Sequence, residues 1–432
     1  MLSLDYPNVF TSNFINIMVR SSIKKSGNAF IVYFIIFFLL LTKGLQFAGW
    51  GLMPILSNLR YIVIICLPIY TTIKYGQISH KQNIYNKNII LYFIYTCIIT
   101  FCLRNLFYGG GLGYGLECNL FVASIFSSYF VFHYLYISER ALIKVLSIIS
   151  LVVLVIQIVQ QIYPDQAMFS MYTEQMREEM GLSSDYITGQ RNGLYRFIPI
   201  SVNIPVFLIC YYFAKTLINY KLKYLVLVSA FLVSMYLMLT RMFMVCTGIC
   251  CLYILFSIKS AKKTMFMSFA LIIGVIVISY FYADALFGEL FTSEDSGIDV
   301  SSKARLGCVP FFLSQSLDNP ILFLFGHGYP EHLWKWGVKL GYWYNDIGIL
   351  GQLYTYGVIW FFVYFKLIYW LLVKMKRKIP IYLRAYILGM LCICYMMPSY
   401  ALNLEITLLW CIILYIADLY IGKSDRVEHN TI

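Results

Sequence analysis

The sequence predicts an all-α integral membrane protein of about twelve transmembrane helices, with a large, partly helical loop between the ninth and tenth. Three observations carry this prediction. Of 432 residues, 60% are hydrophobic and 12% charged, whereas a soluble domain carries about 25% charged residues. Apolar runs of about 17 to 25 residues, long enough to cross a hydrocarbon core of about 30 Å as helices, recur along the chain. They lack the alternation over about 10 residues that marks barrel strands, so their backbone groups must be satisfied within helices. The third observation is the placement of charge between the runs, which checks the number of spans.

The spans run over residues 28–46, 61–79, 88–106, 119–137, 143–163, 193–214, 222–240, 242–258, 264–283, 347–373, 380–398 and 403–421, in one polytopic domain covering 1–432. Arg20, Lys24 and Lys25 precede the first span, and every even-numbered exit is basic. Lys81 and Lys87 follow span 2, Arg140 follows span 4, and Lys215, Lys221 and Lys223 follow span 6. Lys259, Lys262 and Lys263 follow span 8, Lys374, Lys376, Arg377 and Lys378 follow span 10, and Lys423 and Arg426 follow span 12. Positive charge stays on the cytoplasmic side, which predicts that both termini are inside. The net charge of +13 is therefore read as topology and not as a nucleic-acid surface. The polar start runs through Lys25 into a full-length span, which predicts a retained anchor in place of a cleaved signal.

The odd-numbered exits face the other side, and two of them are long. Residues 164–192 carry Asp165, Glu174, Glu178, Glu179 and Asp185. Residues 284–346 carry Asp284, Glu289, Glu294, Asp295, Asp299, Asp318, Glu331 and Asp346. Thirteen of the 20 acidic residues thus fall in two outward loops, which places the working face outside. The glycine run Gly109 to Gly115 follows span 3 with no strand before it, so it reads as an outer turn and not a phosphate-cradling loop. No internal repeat, low-complexity tract or second soluble domain is visible.

Most of the 12 cysteines, Cys246, Cys250 and Cys251 among them, lie inside apolar runs and read as small buried hydrophobes. No CxxC pair faces another at zinc spacing, and no Asp-x-Asp or His-x-x-x-His cluster stands outside, so neither a metal nor another cofactor is implied. Cys118 and Cys308 are the two that the topology puts outside together, a candidate bridge.

Four arginines stand on the face where positive charge is not a topology signal: Arg191 and Arg196 in GQRNGLYRFIPI, Arg241 in LMLTRMFMV, and Arg305 in SSKARLGCVPFF. An arginine at membrane depth costs roughly 2.5 to 3.5 kcal/mol on insertion scales and needs a partner. Its planar fork matches phosphate oxygens. The alternative is that each snorkels to headgroups or pairs with a loop carboxylate. Pro199, Asn203 and Pro205 predict a broken or kinked sixth span, since each proline removes a backbone hydrogen bond.

For proton transfer the outer face offers Asp346, His327, His332, Glu331 and Tyr344. Asp346 stands where the loop re-enters the membrane and is a candidate base, otherwise a solvated residue or the cap of span 10; His327, between Gly326 and Gly328, is a candidate base, otherwise a solvated residue or the mark of a turn. Glu405, near the outer end of span 12, is a carboxylate that requires a partner.

Three segments of the chain resemble the O-antigen polymerase and ligase superfamily of bacterial polysaccharide assembly. LMLTRMFMVCTGICCLYILF, residues 237–256, is similar to its outer arginine opening a span. ARLGCVPFFLSQSLDNPILFLFGHG, residues 304–328, is similar to its arginine, amphipathic helix and "nP…fGxG" segment. WYNDIGILGQLYTYGVIWFF, residues 343–362, is similar to its "HN…L…L…GxxG" stretch. The motifs span roughly residues 190–365, and the remainder resembles the superfamily in topology.

The resemblance implies glycosyl transfer outside a bacterial inner membrane between two undecaprenyl-diphosphate-linked oligosaccharides. On this resemblance neither a nucleotide sugar nor a metal would take part. A chain-length regulator and a flippase are the implied partners. Arg191, Arg196, Arg241 and Arg305 would hold the pyrophosphate and stabilise its departing charge, and Asp346 or His327 would activate the acceptor hydroxyl. Trp343, Tyr344 and Asn345 would contact sugar, as would Trp334, Trp336 and Tyr342, although Trp and Tyr also populate any membrane interface. Ligases of this superfamily generally place His before Asn, whereas this chain has Tyr344 before Asn345. That departure favours a polymerase over a ligase that transfers finished polymer to lipid A core. A lipid-linked oligosaccharide flippase is the rival from another class. Its expected marks, related halves and polar sites near the midplane, are not evident here.

Overall fold

Apolar helices packed side by side make up the described part of the chain. The computed structural model describes residues 36, 53–79, 84–108, 119–163, 190–191, 194–195, 203–238, 240–258, 300–328, 347–394 and 404–430. In chain order the helices are α1 (Met53–Ser79), α2 (Lys87–Tyr108), α3 (Phe121–Phe126), α4 (Ser128–Leu135), α5 (Glu139–Ile162), α6 (Asn203–Ile218), α7 (Leu222–Leu237) and α8 (Arg241–Ser257). Then follow α9 (Val300–Leu317), α10 (Pro320–Phe325), α11 (Gly348–Tyr369), α12 (Ile381–Ile393) and α13 (Leu404–Asn430). One short antiparallel pair, β1 (Gln190–Arg191) and β2 (Leu194–Tyr195), precedes α6. The all-α expectation holds for the described residues apart from that hairpin.

Among the described residues, four segments are long and apolar enough to cross a membrane: Lys87–Tyr108, Glu139–Ile162, Gly348–Lys374 and Glu405–Asp425. Several shorter apolar helices, among them Asn203–Ile218, Leu222–Leu237 and Ile381–Ile393, pack around them. Packing uses small residues where helices cross. A Cβ on Gly389 of α12 would clash with Cys250 Sγ and stand 3.0 Å from Cys246 Sγ of α8, so this crossing is closed by the absence of a side chain. Of the cysteines expected to be small buried groups, Cys246 and Cys250 are fully buried and Cys251 is half-buried, whereas Cys66, Cys102 and Cys392 are exposed. Along α11 the rings of Tyr356, Trp360 and Tyr364 stack in succession at 5.5 Å and 5.4 Å.

Helix boundaries depart from the predicted spans for local reasons. Span 4 is divided at Ser127 into α3 and α4. The described part of α6 runs from Asn203, so Pro205 stands in the first turn of that described part. The described helix therefore shows no kink at Pro205, while Pro199 and the residues up to 202 lie outside the described residues. Span 10 contains a true interruption that its apolar composition hid, at Gly357. Its last turn widens into a π-helical segment, Trp370–Lys374. Helix α13 continues to Asn430, past the predicted end at residue 421.

Helix ends predicted to share a side meet in space. At the basic end, Lys378 Nζ pairs with Asp425 Oδ1 at 2.6 Å, and the Tyr85 hydroxyl bonds the other oxygen of that carboxylate. Glu139, in the first turn of α5 after the Ser138 N-cap, accepts from Tyr382 and Tyr420 at 2.8 Å each. Deeper at the same end, Asp418 accepts from Asn86 Nδ2 at 2.7 Å, from His133 Nε2 at 3.1 Å and from the Tyr129 hydroxyl. A carboxylate buried this completely is tolerable only with such a full set of donors. At the opposite end the Ile349 N–H of α11 donates to Cys394 O, after α12, at 2.6 Å.

Candidate functional site

The site is built at that opposite end, where one face of α2 meets a short corner after α10. Thr100, Arg104 and Tyr108 stand four residues apart, so they line up along one face of α2. Each touches the corner. Thr100 Oγ1 donates to Phe325 O at 2.6 Å. The stem of Arg104 lies along Gly328, whose added Cβ would stand 3.0 to 3.3 Å from three of its carbons. The Tyr108 hydroxyl is 2.6 Å from His327 Nδ1.

Local sequence chemistry explains why the corner has this shape. Asn319 caps α10 by accepting from the backbone N–H of Ile321 and Leu322 at 3.0 and 3.3 Å, and Pro320 occupies the first turn. Gly326 ends the helix with φ 91°, ψ 152°, donating its N–H to Leu322 O at 2.7 Å. Only glycine enters that region readily. The chain then packs against the interrupted turn of α11. His327 N–H donates to Tyr354 O, and Gly328 N–H to Thr355 O, each at 2.9 Å. Gly357, with φ 81°, ψ 175°, breaks α11 beside those carbonyls. The corner therefore fills hydrogen-bonding positions at the interruption, as buried non-helical backbone must.

His327 is 3% exposed and lies flat on the Tyr354 ring at 4.5 Å and 8°. Burial pushes its pKa down to about 4, against the opposing pull of the Asp318 carboxylate and the Ser316 backbone carbonyl. At neutral pH the imidazole is uncharged. In the tautomer protonated at Nε2, Nδ1 accepts from the Tyr108 hydroxyl.

Of the other residues singled out in the sequence, Arg191 lies on β1 opposite Leu194. Arg241 is the first residue of α8, following Thr240 at its N-cap. Arg305 lies on α9, which packs against α10 and α11. Glu405 is buried at the start of α13 and Cys308 is buried in α9. Arg196, Cys118, Glu331, His332, Trp334, Trp336, Tyr342, Trp343, Tyr344, Asn345 and Asp346 lie outside the described residues.

A second polar group stands toward the same end. Ser234 Oγ donates to Gln157 Oε1 at 2.7 Å. Gln157 Nε2 and Asn203 Oδ1 are buried with no hydrogen-bond partner among the described residues. Among those residues no group of three His, Cys, Asp or Glu side chains is arranged to hold a metal ion.

No protein-family model matches this chain, and no curated protein matches it. Sequence reasoning passed over Arg104 and Tyr108 because α2 reads as one more apolar span. Arg104 is 2% exposed and among the largest fully buried side chains. The signal was present as a lone arginine within an apolar run, with Thr and Tyr one turn to either side.

Proposed function

We propose that the chain is a surface-polysaccharide (O-antigen) polymerase, a metal-independent membrane glycosyltransferase that joins undecaprenyl-diphosphate-linked oligosaccharide repeat units. In this reading the protein sits in a bacterial inner membrane with about twelve spans and both termini cytoplasmic. The loops 164–192 and 284–346 face the periplasm, where the lipid-linked donor and acceptor stand. A flippase that supplies the substrate and a regulator of chain length are its natural partners.

One observation carries the reading: two of the three segments that resemble the polymerase and ligase superfamily pack directly on each other. The corner of residues 326–328 fills the interrupted turn of α11 through the His327–Tyr354 and Gly328–Thr355 hydrogen bonds. Gly326 and Gly357 allow the close approach. Residues separated in sequence thus form one built unit, as a shared site requires. Arg305 lies on the helix leading into that unit. Arg241 opens a 17-residue helix, whose N-terminal N–H groups and dipole favour an anion.

The reaction moves an oligosaccharide from its pyrophosphate to an acceptor hydroxyl. The bond from the anomeric carbon to the phosphate oxygen breaks, the pyrophosphate keeps the electron pair, and the acceptor oxygen bonds to the anomeric carbon. Arg191, Arg196, Arg241 and Arg305 supply the positive charge on which the leaving pyrophosphate builds. Trp343, Tyr344 and Asn345 supply sugar contacts.

A strain lacking the protein tests the reading through its surface lipid. Polymerase loss leaves lipid bearing a single repeat unit. Absence of all surface sugar, with intermediates held inside, identifies a flippase instead; free polymer on undecaprenyl diphosphate identifies a ligase.

A further inference from the structure

His327 is too deeply buried to meet a sugar, yet its partner is not. Tyr108 is 45% exposed at the end of α2, with its hydroxyl 2.6 Å from His327 Nδ1. We propose that Tyr108 is the residue that takes the proton from the acceptor hydroxyl, passing its own proton to His327 as a two-step relay. This rests on the polymerase reading and names the base that the reading leaves open.

Three features of the geometry, and the charge of Asp318, support the relay. The imidazole is held in place by main-chain hydrogen bonds on both His327 and Gly328 and by a flat stack on Tyr354. Tyr108 approaches with its ring inclined 30° to the imidazole, at 6.1 Å between centroids. The electrostatic influence of Asp318 reaches both Tyr108 and His327, so an imidazolium formed there has a carboxylate in its field. The corner that carries His327 is fixed by glycine conformations at Gly326 and Gly328, so the pair is preorganised before substrate arrives.

The proton balance closes. As the acceptor oxygen bonds to the anomeric carbon, its proton goes to Tyr108 Oη while the tyrosine proton goes to His327 Nδ1. The pyrophosphate departs with the electron pair of the broken bond. The imidazolium then returns its proton through Tyr108 to water, restoring the starting state. A base whose conjugate acid has a pKa of about 4 is no weaker than an aspartate, whose ordinary value is about 3.9, so the imidazole can serve where a carboxylate would.

The test uses the full chain in proteoliposomes with lipid-linked repeat units, comparing wild type, Tyr108→Phe, His327→Gln and the double variant. General-base catalysis is worth about 10²- to 10⁴-fold, so each single variant should lose at least 10² in kcat with KM little changed. The double variant should lose no more than the worse single one, because the two act as a unit. The acid limb of the wild-type pH profile should vanish in both. Thermal unfolding, measured alongside, separates loss of fold from loss of the relay. Wild-type rates in a folded Tyr108→Phe, or losses that multiply in the double variant, overturn the relay and leave the polymerase reading standing. If wild type itself elongates nothing, the polymerase reading falls and the relay with it.

Discussion

The backbone nitrogen of Gly326 stands 2.5 Å from the place where a Cβ on Gly357 would be. These two glycines, one closing a six-residue helix and the other interrupting a long one, let two chain segments touch backbone to backbone. The positions of His327 and Tyr354 follow from that contact.

Replacing either glycine by alanine should be severe. Both lie in a region of φ and ψ that is essentially restricted to glycine, and the new methyl would strike the backbone at Thr355 or Leu324. A loss of roughly 3 kcal/mol or more is expected for Gly326→Ala and Gly357→Ala. Gly248→Ala is the control, since nothing lies within 4 Å of its added Cβ. It should be neutral or stabilise the helix by up to ~1 kcal/mol. Thermal unfolding in detergent distinguishes the three.

His327 makes stability depend on pH in a defined direction. Its folded pKa of about 4 lies below the ordinary value of about 6.5, so the unfolded chain binds the proton more readily between those values. The neutral-imidazole contribution is fully present above about pH 6.5 and is lost as pH falls toward 4, by roughly 3 kcal/mol in all. His327→Gln should flatten that part of the stability profile. A slope unchanged in the variant would assign it to other groups.

Asp418 should behave as a structural tie at the basic end. It holds Asn86, Tyr129 and His133, which belong to the start of α2 and to α4, against α13. Asp418→Ala removes the acceptor and leaves buried donors unsatisfied, a change expected to cost about 3–5 kcal/mol. Asp418→Asn, which keeps an acceptor but loses the charge, should cost less. Yield of folded protein and unfolding temperature should rank wild type, Asn and Ala in that order.

Arg241→Ala and Arg305→Ala should each abolish chain elongation while the protein still accumulates in the membrane. Lysine at either position should restore part of the activity, because it keeps the charge and loses the fork. Unchanged chain length in both alanine variants would remove these arginines from the site.

The sequence made the helices legible because apolar length and basic exits repeat so regularly. It located the corner of residues 326–328 as a glycine-flanked histidine, and Asn319–Pro320 as a segment to notice. It left the interruption at Gly357 hidden, since a glycine in an apolar run has no polar marker and its φ is set by the segment packed against it. The cluster of Asp418, His133 and Asn86 was equally hidden. Its members come from three separate stretches, each reading as an ordinary span end. Arg104 and Tyr108 were obscured by the apolar residues around them, and only the approach of Gly328 and His327 gives them a role.

Reconstitution tests the central claim most directly. The full chain is placed in proteoliposomes with undecaprenyl-diphosphate-linked repeat units, and the lipid-linked products are resolved by size over time. The account predicts a ladder of longer lipid-linked oligosaccharides with matching release of undecaprenyl diphosphate and no need for a divalent metal. Substrate that stays at one repeat unit, whether untouched or merely moved across the bilayer, would contradict it.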